Sequence, residues 1–597
     1  MKKKGGGSGS VSSSALKEKP EELQVKTGGH WFVKLLRGKG VEHIFGTTGA
    51  GMADIQDALT FEKSPKWIQS LHEYTTVCAA QGYGLAAEEP GVALIDRIVG
   101  TQNAIGALYA AYLNSAPVVV FASLNLPAIP NKPGDIASHF HSQQAELASA
   151  WTKWFTQINS LETMPADIDK AFFMASSEHQ GPVYVTLRQD LMAQSASIGA
   201  PGSGFDSLLS PRVPDDATLS RIVEEIVSSE YPQIVVSHLG RHKKAVGSLV
   251  RFAHTFGIAV TERRFFINYP TDDPLHAGFL SRFFQPAIFE DADLVIAMEL
   301  GLLPGQDFPR RVRVVDLSSD PFHRQDLCGG GDYGSSLFHA DIRSACDLGP
   351  TLDKLSKLGE AQMTSSQKDR CSERFRRVER YHRKVYDEWR EEGALNFERN
   401  VLNGWSIGHA LNEHWSDDVT WVNGTSYTWD GLLKTIRMSE PGTYYGNASG
   451  HLGASPGMAY GVALARLRDQ GQRRGYVVCT GGDGEAMFGS IDSALWTCSH
   501  YNIGVLYIIM NNACWGVNWS PIAKSSQHWA RDSRDTQYVA IDAPKIEFAK
   551  IAEAFNVRAG KASTPKEFDS LLDEMVDYVR GGKPALIDLH MEFSESE

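Results

Sequence analysis

A three-domain α/β fold on mostly parallel sheets is predicted by three observations. At 597 residues, 42% of them hydrophobic, the chain is long enough to bury more than one core. Short β-branched runs alternate with helical patterns in three separate stretches, as stacked βα units do. Between the stretches the composition shifts, first at the Pro- and Ser-containing segment 203–216 and then at the charged, helix-patterned segment 365–393.

In the first stretch, strands are expected in GVEHIFGTTGAG (40–51), PGVALID (90–96) and APVVVFA (116–122). The second, between Pro232 and Pro321, offers PQIVVSHLG, GIAVTER, ADLVIAME and RVRVVDLSSDP. The third offers DVTWVNG, RGYVVCTGGDG, IGVLYIIMNN and KPALIDLHME. The expected division is a flexible tail or tag over 1–27, domains over 28–202, 203–355 and 396–597, and a solvated, charged helical linker over 356–395. The tail is basic with no apolar run behind it, so it does not read as a secretory signal.

Lys plus Arg at 58 against Asp plus Glu at 71 leaves a net charge of -13, the wrong sign for a general nucleic-acid or anionic-membrane binder. No apolar run reaches the length of a membrane span. A small-molecule substrate is expected instead. Seven cysteines form no CxxC pair and no zinc-like spacing, which fits a reducing cytoplasm.

The most informative stretch is GGDGEAMFGSIDSALWTCSHYNIGVLYIIMNN, ending at Asn512. A strand is expected over 476–479, then a helix capped by Ser490 with Ile491, Ala494, Leu495 and Cys498 on one face, then a strand over 505–510. A strand, crossover helix and parallel strand bring both carboxyl ends to one sheet edge, where open α/β folds bind ligands. Asp483 and Asn512 should therefore meet. A carboxylate beside an amide oxygen, with glycine turns exposing backbone N–H groups, suits Mg²⁺ bridged to a diphosphate. The plainer reading is a strand-ending turn and a helix cap.

With 26 residues between Gly484 and Asn511, the pattern resembles the GDG…NN motif of thiamine diphosphate (ThDP) enzymes. SLHEYTTVCAAQGYGLA, from Ser70, resembles their turn bearing the cofactor-activating glutamate. GTQNAIGALYAAYLNSAPVVVFA (100–122) is similar to the segment that follows it in acetolactate synthases, benzoylformate decarboxylases and 2-hydroxyacyl-CoA lyases. The resemblance implies ThDP and Mg²⁺ as cofactors, a pyrimidine-binding first domain and a diphosphate-binding third domain. It places the metal on Asp483, Asn512 and the Cys514 carbonyl, and the cofactor on Glu73, Thr425, Ser426, Gly450, Leu452, Gly482, Asp483, Gly484 and Asn512. Glu73 would exchange a proton with the cofactor's N1′. Relatives draw the glutamate and the GDG motif from different subunits, so a homodimer or homotetramer is implied. FAD stays undecided.

Departures from the family pattern weaken any substrate assignment. Thr48 and Ala50 stand where relatives carry proline and an active-site serine, Asp96 aligns with one active-site histidine of benzoylformate decarboxylases, and Asp273 lies near the second. His139 and His141, in SHFHSQQ (138–144), are candidate replacements for proton transfer, or else two solvent-facing loop histidines. Asp96 itself is a candidate catalytic group. The expected reaction is 2-oxo acid decarboxylation with carboligation to an acceptor carbonyl. The alternatives are a 2-hydroxyacyl-CoA or 2-hydroxy ketone lyase and, less favoured, an inactive regulatory paralogue.

Overall fold

The computed structural model describes residues 27–62, 64–125, 143–195, 210–280, 285–300, 312–320, 338–415, 418–426, 428–469, 475–524 and 537–592. They form three six-stranded sheets in which every strand pair is parallel. The first holds β1 (His43–Gly46), β2 (Lys66–Gln69), β3 (Gly91–Ile95), β4 (Val118–Leu124), β5 (Trp154–Ile158) and β6 (Pro182–Arg188), in the order β2-β1-β3-β4-β6-β5. The third holds β13 (Thr420–Gly424), β14 (Tyr444–Gly446), β15 (Val477–Gly482), β16 (Val505–Asn511), β17 (Arg558–Ala562) and β18 (Ala585–His590). Its order, β14-β13-β15-β16-β18-β17, repeats that of the first sheet strand for strand. Two copies of one topology therefore flank the central sheet.

That central sheet holds β7 (Pro232–Val236), β8 (Ala259–Glu262), β9 (His276–Phe279), β10 (Leu294–Met298), β11 (Arg313–Ser318) and β12 (Ile342–Ala345), in the order β12-β11-β10-β7-β8-β9. Counted from β7 this is the doubly wound arrangement, whose carboxyl edge opens at the β7/β10 switch point. Inner strands such as β3, β4, β7, β10 and β16 are buried at every position, as strands covered by helices on both faces must be. Leaving the central sheet, the chain forms the helix Leu348–Gln362 and then the 34-residue helix Ser365–Glu398, started by a Thr364–Gln367 capping box. Among the described residues no helix is long and apolar enough to cross a membrane.

One helix pair fixes the first domain against the third. Glu73–Ala87 packs along Ala454–Asp469 through glycines: a Cβ at Gly82 would lie 2.2 Å from the Met458 carbonyl oxygen, and one at Gly461 2.0 Å from that of Ala79. Only hydrogen fits at these two positions. The contact brings Tyr74, next to Glu73, onto the 450–453 loop, where its hydroxyl donates to the Leu452 carbonyl at 2.9 Å.

Candidate active site

The carboxyl edge of the third sheet gathers the residues that the motif pointed to. In register, Gly482 of β15 lies beside Met510 of β16, so Asp483 and Asn512 leave adjacent strands together. With Thr425, Ser426, Gly450, Leu452, Gly482, Gly484 and Cys514 they line one cavity of about 290 Å³. A larger cavity, about 610 Å³, opens at the amino edge of the same sheet around Lys434 and Thr443 and contains none of them.

The cavity's chemistry follows from burial. Asp483 is 4% exposed; its Oδ1 accepts from the Gly484 N–H at 2.7 Å, whereas Oδ2 is buried without a hydrogen-bond partner. Burial raises the Asp483 pKa, and the N–H groups of Gly484, Ala513 and Cys514 only partly oppose the shift. A carboxylate left so is short of positive charge. Asn512 Oδ1 accepts from the Cys514 N–H at 3.1 Å, across a turn made by left-handed Ala513 (φ 53). Burial, then Asp483 and Asp542, push the Cys514 thiol up to about 11, so its carbonyl suits a hard cation better than its sulfur does. Gly450 and Gly482 leave space: a Cβ on either would meet nothing within 4 Å.

Several residues that build this edge escaped the sequence reading. Glu485 is fully buried, accepting from Gly453 N–H (2.6 Å), Ser455 N–H (3.0 Å) and Ser455 Oγ (2.7 Å), and so ties the GDG turn to the loop carrying Gly450 and Leu452. At Gly453 itself, φ is 98° and a Cβ would lie 2.5 Å from the Gly489 nitrogen, so both conformation and contact demand glycine. Asn423 Oδ1 accepts from Thr425 N–H, Thr425 Oγ1 and Thr480 Oγ1, shaping the loop that presents Thr425 and Ser426. Asn511, first of the two asparagines, is structural: its Nδ2 donates to Asp588 Oδ1 at 3.0 Å and to the Ile546 carbonyl at 2.8 Å. Ser490 departs from expectation. Its left-handed backbone (φ 47) carries no side-chain cap, because the chain turns sharply there rather than entering the helix from an extended residue.

Trp515 covers the second glycine of GDG. A Cβ on Gly484 would lie 2.1 Å from the Trp515 ring. Gly484→Ala must displace that ring, and overpacking of this kind costs roughly 1–3 kcal/mol. Thermal unfolding should register the loss; an unchanged Tm would remove Trp515 from the cavity wall.

The other predicted residues stand on the first sheet's carboxyl edge. Glu73 begins its helix; Oε1 accepts from Thr47 Oγ1 at 3.2 Å and Oε2 from Asn103 Nδ2 at 3.0 Å. It does not line the Asp483 cavity. Asp96 follows β3, accepts a short hydrogen bond from Ser123 Oγ and lies 3.8 Å from Arg97 Nε, whose residue is left-handed (φ 51). A Cβ at Gly100 would come within 3.3 Å of Glu73 Oε1, so the Glu73 and Asp96 turns are neighbours. Asp273 is engaged elsewhere, with His254 at 2.7 Å and Tyr269 at 2.9 Å. His139 and His141 lie outside the described residues.

Known families cover both edges. The model described as the N-terminal TPP binding domain of thiamine pyrophosphate enzymes matches residues 26–126, and that of the C-terminal TPP binding domain matches 424–589. The chain belongs to the thiamine pyrophosphate enzymes. Benzoylformate decarboxylase of Pseudomonas aeruginosa is 24% identical over 93% of this chain and 97% of its own. Acetolactate synthase of Bacillus subtilis is 22% identical over 98% and 96%. Among solved structures, the ThDP-dependent 4-hydroxybenzoylformate decarboxylase of Rhodococcus jostii RHA1 shares the fold of this thiamine pyrophosphate enzyme, with a TM-score of 0.74 at 21% identity over 96% of this chain and 100% of that one.

The residues present fit a metal-bridged diphosphate. Among the described residues no cluster of three or more His, Cys, Asp and Glu exists to hold a metal by itself. A cation on Asp483 Oδ2 would instead take an amide oxygen, a backbone carbonyl and its remaining ligands from phosphate and water, the pattern expected for Mg²⁺.

Proposed function

We propose that this thiamine pyrophosphate enzyme decarboxylates 2-oxo acids and joins the product to an acceptor carbonyl, using ThDP and Mg²⁺. The observation that carries the reading is the buried, unpartnered Asp483 Oδ2 beside Asn512 and two open glycines. ThDP supplies, when bound, a nucleophilic carbon that adds to a carbonyl and accepts the electron pair released with CO₂. Asp483, Asn512 and the Cys514 carbonyl hold the cation; Thr425 and Ser426 face the phosphates; the Gly450 carbonyl and the Leu452 side chain orient the rings. Glu73 holds and moves the proton at N1′.

By resemblance to relatives, which draw the glutamate and the GDG motif from different subunits, a second copy of the chain supplies Glu73. Leu71, Met487 and Phe488 are 51%, 48% and 58% exposed. Leu71 N–H donates to Ser493 Oγ, and Thr75 Oγ1 to the Gly489 carbonyl, so these side chains flank the join of the two edges and give a homodimer or homotetramer its apolar contact. Asp96 accepts from Ser123 where a histidine acid stands in benzoylformate decarboxylases. An acceptor there protonates a product poorly, which favours carboligation over aldehyde release. The buried, free cysteines accord with a reducing cytoplasm.

The test is to incubate the holoenzyme with pyruvate and with aryl and branched 2-oxo acids, with and without an acceptor aldehyde, and to follow CO₂ and products by mass spectrometry. CO₂ release with 2-hydroxy ketone formation is expected. Cleavage of 2-hydroxyacyl-CoA alone, with no CO₂ from any 2-oxo acid, would replace this reading with the lyase.

A further inference from the structure

The loop that leaves β8 crosses from the central domain onto the third. The Gly446 N–H donates to the Phe265 carbonyl at 2.8 Å, and Phe266 forms an antiparallel bridge with Tyr445. A Cβ on Gly446 would sit 3.3 Å from Phe265 Cα, so the two backbones are in contact. This stitching carries Arg263 and Arg264 to a second cavity, about 330 Å³, that shares Thr425, Ser426, Gly450 and Leu452 with the Asp483 cavity.

The two arginines are placed differently. Arg264 is 1% exposed, with its guanidinium 4.6 Å from the Phe279 ring and 5.8 Å from that of Tyr444. Its Nη2 pairs with Glu262, but Nε and Nη1 are buried with no hydrogen-bond partner. Glu262 is itself divided between Arg264, His276 and Asn268. Arg263 is half-buried and, among the described residues, engages only the Phe265 ring at 5.8 Å through its guanidinium. Arg264 is enclosed, its side chain 0% exposed, and its unpartnered nitrogens do not open on the cavity, whereas the guanidinium of Arg263 is accessible to an anion. The carboxylate in this wall, Glu485, is spent on Gly453 and Ser455. Phe265, Leu280, Trp429 and Tyr444 make the rest of the wall largely apolar.

We propose that this cavity is the subsite for the substrate's carboxylate, held by Arg263, with an aryl or branched apolar group of the same substrate against the aromatic wall. The inference rests on the 2-oxo acid reading above and supplies its anchoring residue. The cofactor's own diphosphate is the other anion that Arg263 would attract, and the test separates the two.

Holoenzyme saturated with ThDP and Mg²⁺ is titrated calorimetrically with benzoate, and with benzamide as its uncharged counterpart. Arg263→Gln, at a half-exposed position that the fold tolerates, should weaken benzoate tenfold or more and leave benzamide and ThDP within twofold. KM for an aryl 2-oxo acid should rise by a similar factor with kcat nearly unchanged. Equal binding of benzoate by wild type and Arg263→Gln overturns the proposal, as does a loss confined to ThDP affinity, which would make the diphosphate the anion. Benzoate binding that depends on Arg263 in an enzyme releasing no CO₂ from any 2-oxo acid would sink the reaction and leave the subsite standing. CO₂ release indifferent to Arg263 would sink the subsite alone.

Discussion

Asp483→Ala is expected to abolish measurable ThDP binding while leaving the cofactor-free protein at least as stable as the wild type. Truncating one partner of a buried charge pair costs about 2–5 kcal/mol, or roughly 30-fold to several-thousand-fold in affinity. The stability half follows from the sign of the pKa shift. The folded Asp483 pKa lies above its unfolded value, so between the two the native state binds more protons, and stability falls as pH rises through that window. At neutral pH the ionised group is therefore a cost, which alanine removes. Thermal unfolding with and without ThDP and Mg²⁺ reads both effects: the wild type should gain about 2.7 kcal/mol at a hundredfold excess over Kd, the variant nothing. A variant still stabilised by the pair would show that the cation sits elsewhere.

Glu73→Gln should have the second largest effect, a loss of about 100-fold or more in kcat with ThDP affinity kept. The amide retains the hydrogen bonds of a neutral side chain but cannot pass a proton, and such transfers contribute roughly 10²–10⁴-fold. Exchange of the cofactor's C2 hydrogen with deuterium, read by NMR after acid quench, isolates the step. If each site draws Glu73 from one copy and Asp483 from the other, mixing inactive Glu73→Gln with inactive Asp483→Ala should restore activity, since one site per mixed dimer then has both groups intact. Wild-type exchange in Glu73→Gln would relieve Glu73 of its role, and mixtures as inactive as their parents would place both groups in one chain's site.

What the sequence hid has physical causes. Inner strands were legible because both faces are covered and the run is apolar. The six edge strands β2, β5, β9, β12, β14 and β17 were not read: several are half-exposed, as in KWIQ with Lys66 outward or RAGKA in β17, and β14 is three residues long. Only β6 was overlooked among inner strands, although PVYVTLR is β-branched and buried at all but its last residue, Arg188. At the site, Asp483 and Asn512 were legible because a βαβ crossover fixes where two strand ends meet. Glu485 reads in sequence as an ordinary acid in a first helical turn; only the fold shows its carboxylate closed on Gly453 and Ser455. Arg263 and Arg264 lie some 160 residues before the loop they serve, and no local pattern joins them to it. The pairing of Glu73 with the Asp483 cavity came from resemblance alone, since the two occupy different sheet edges.

The most direct measurement is calorimetric titration of ThDP into metal-stripped wild-type protein, once with Mg²⁺ and once with EDTA. Binding in Mg²⁺ that weakens as pH is lowered toward the raised Asp483 pKa, and that vanishes in EDTA, is the predicted result, because proton and cation compete for the same buried oxygen. Equal affinity in Mg²⁺ and EDTA would contradict a metal-bridged diphosphate at the Asp483–Asn512 edge.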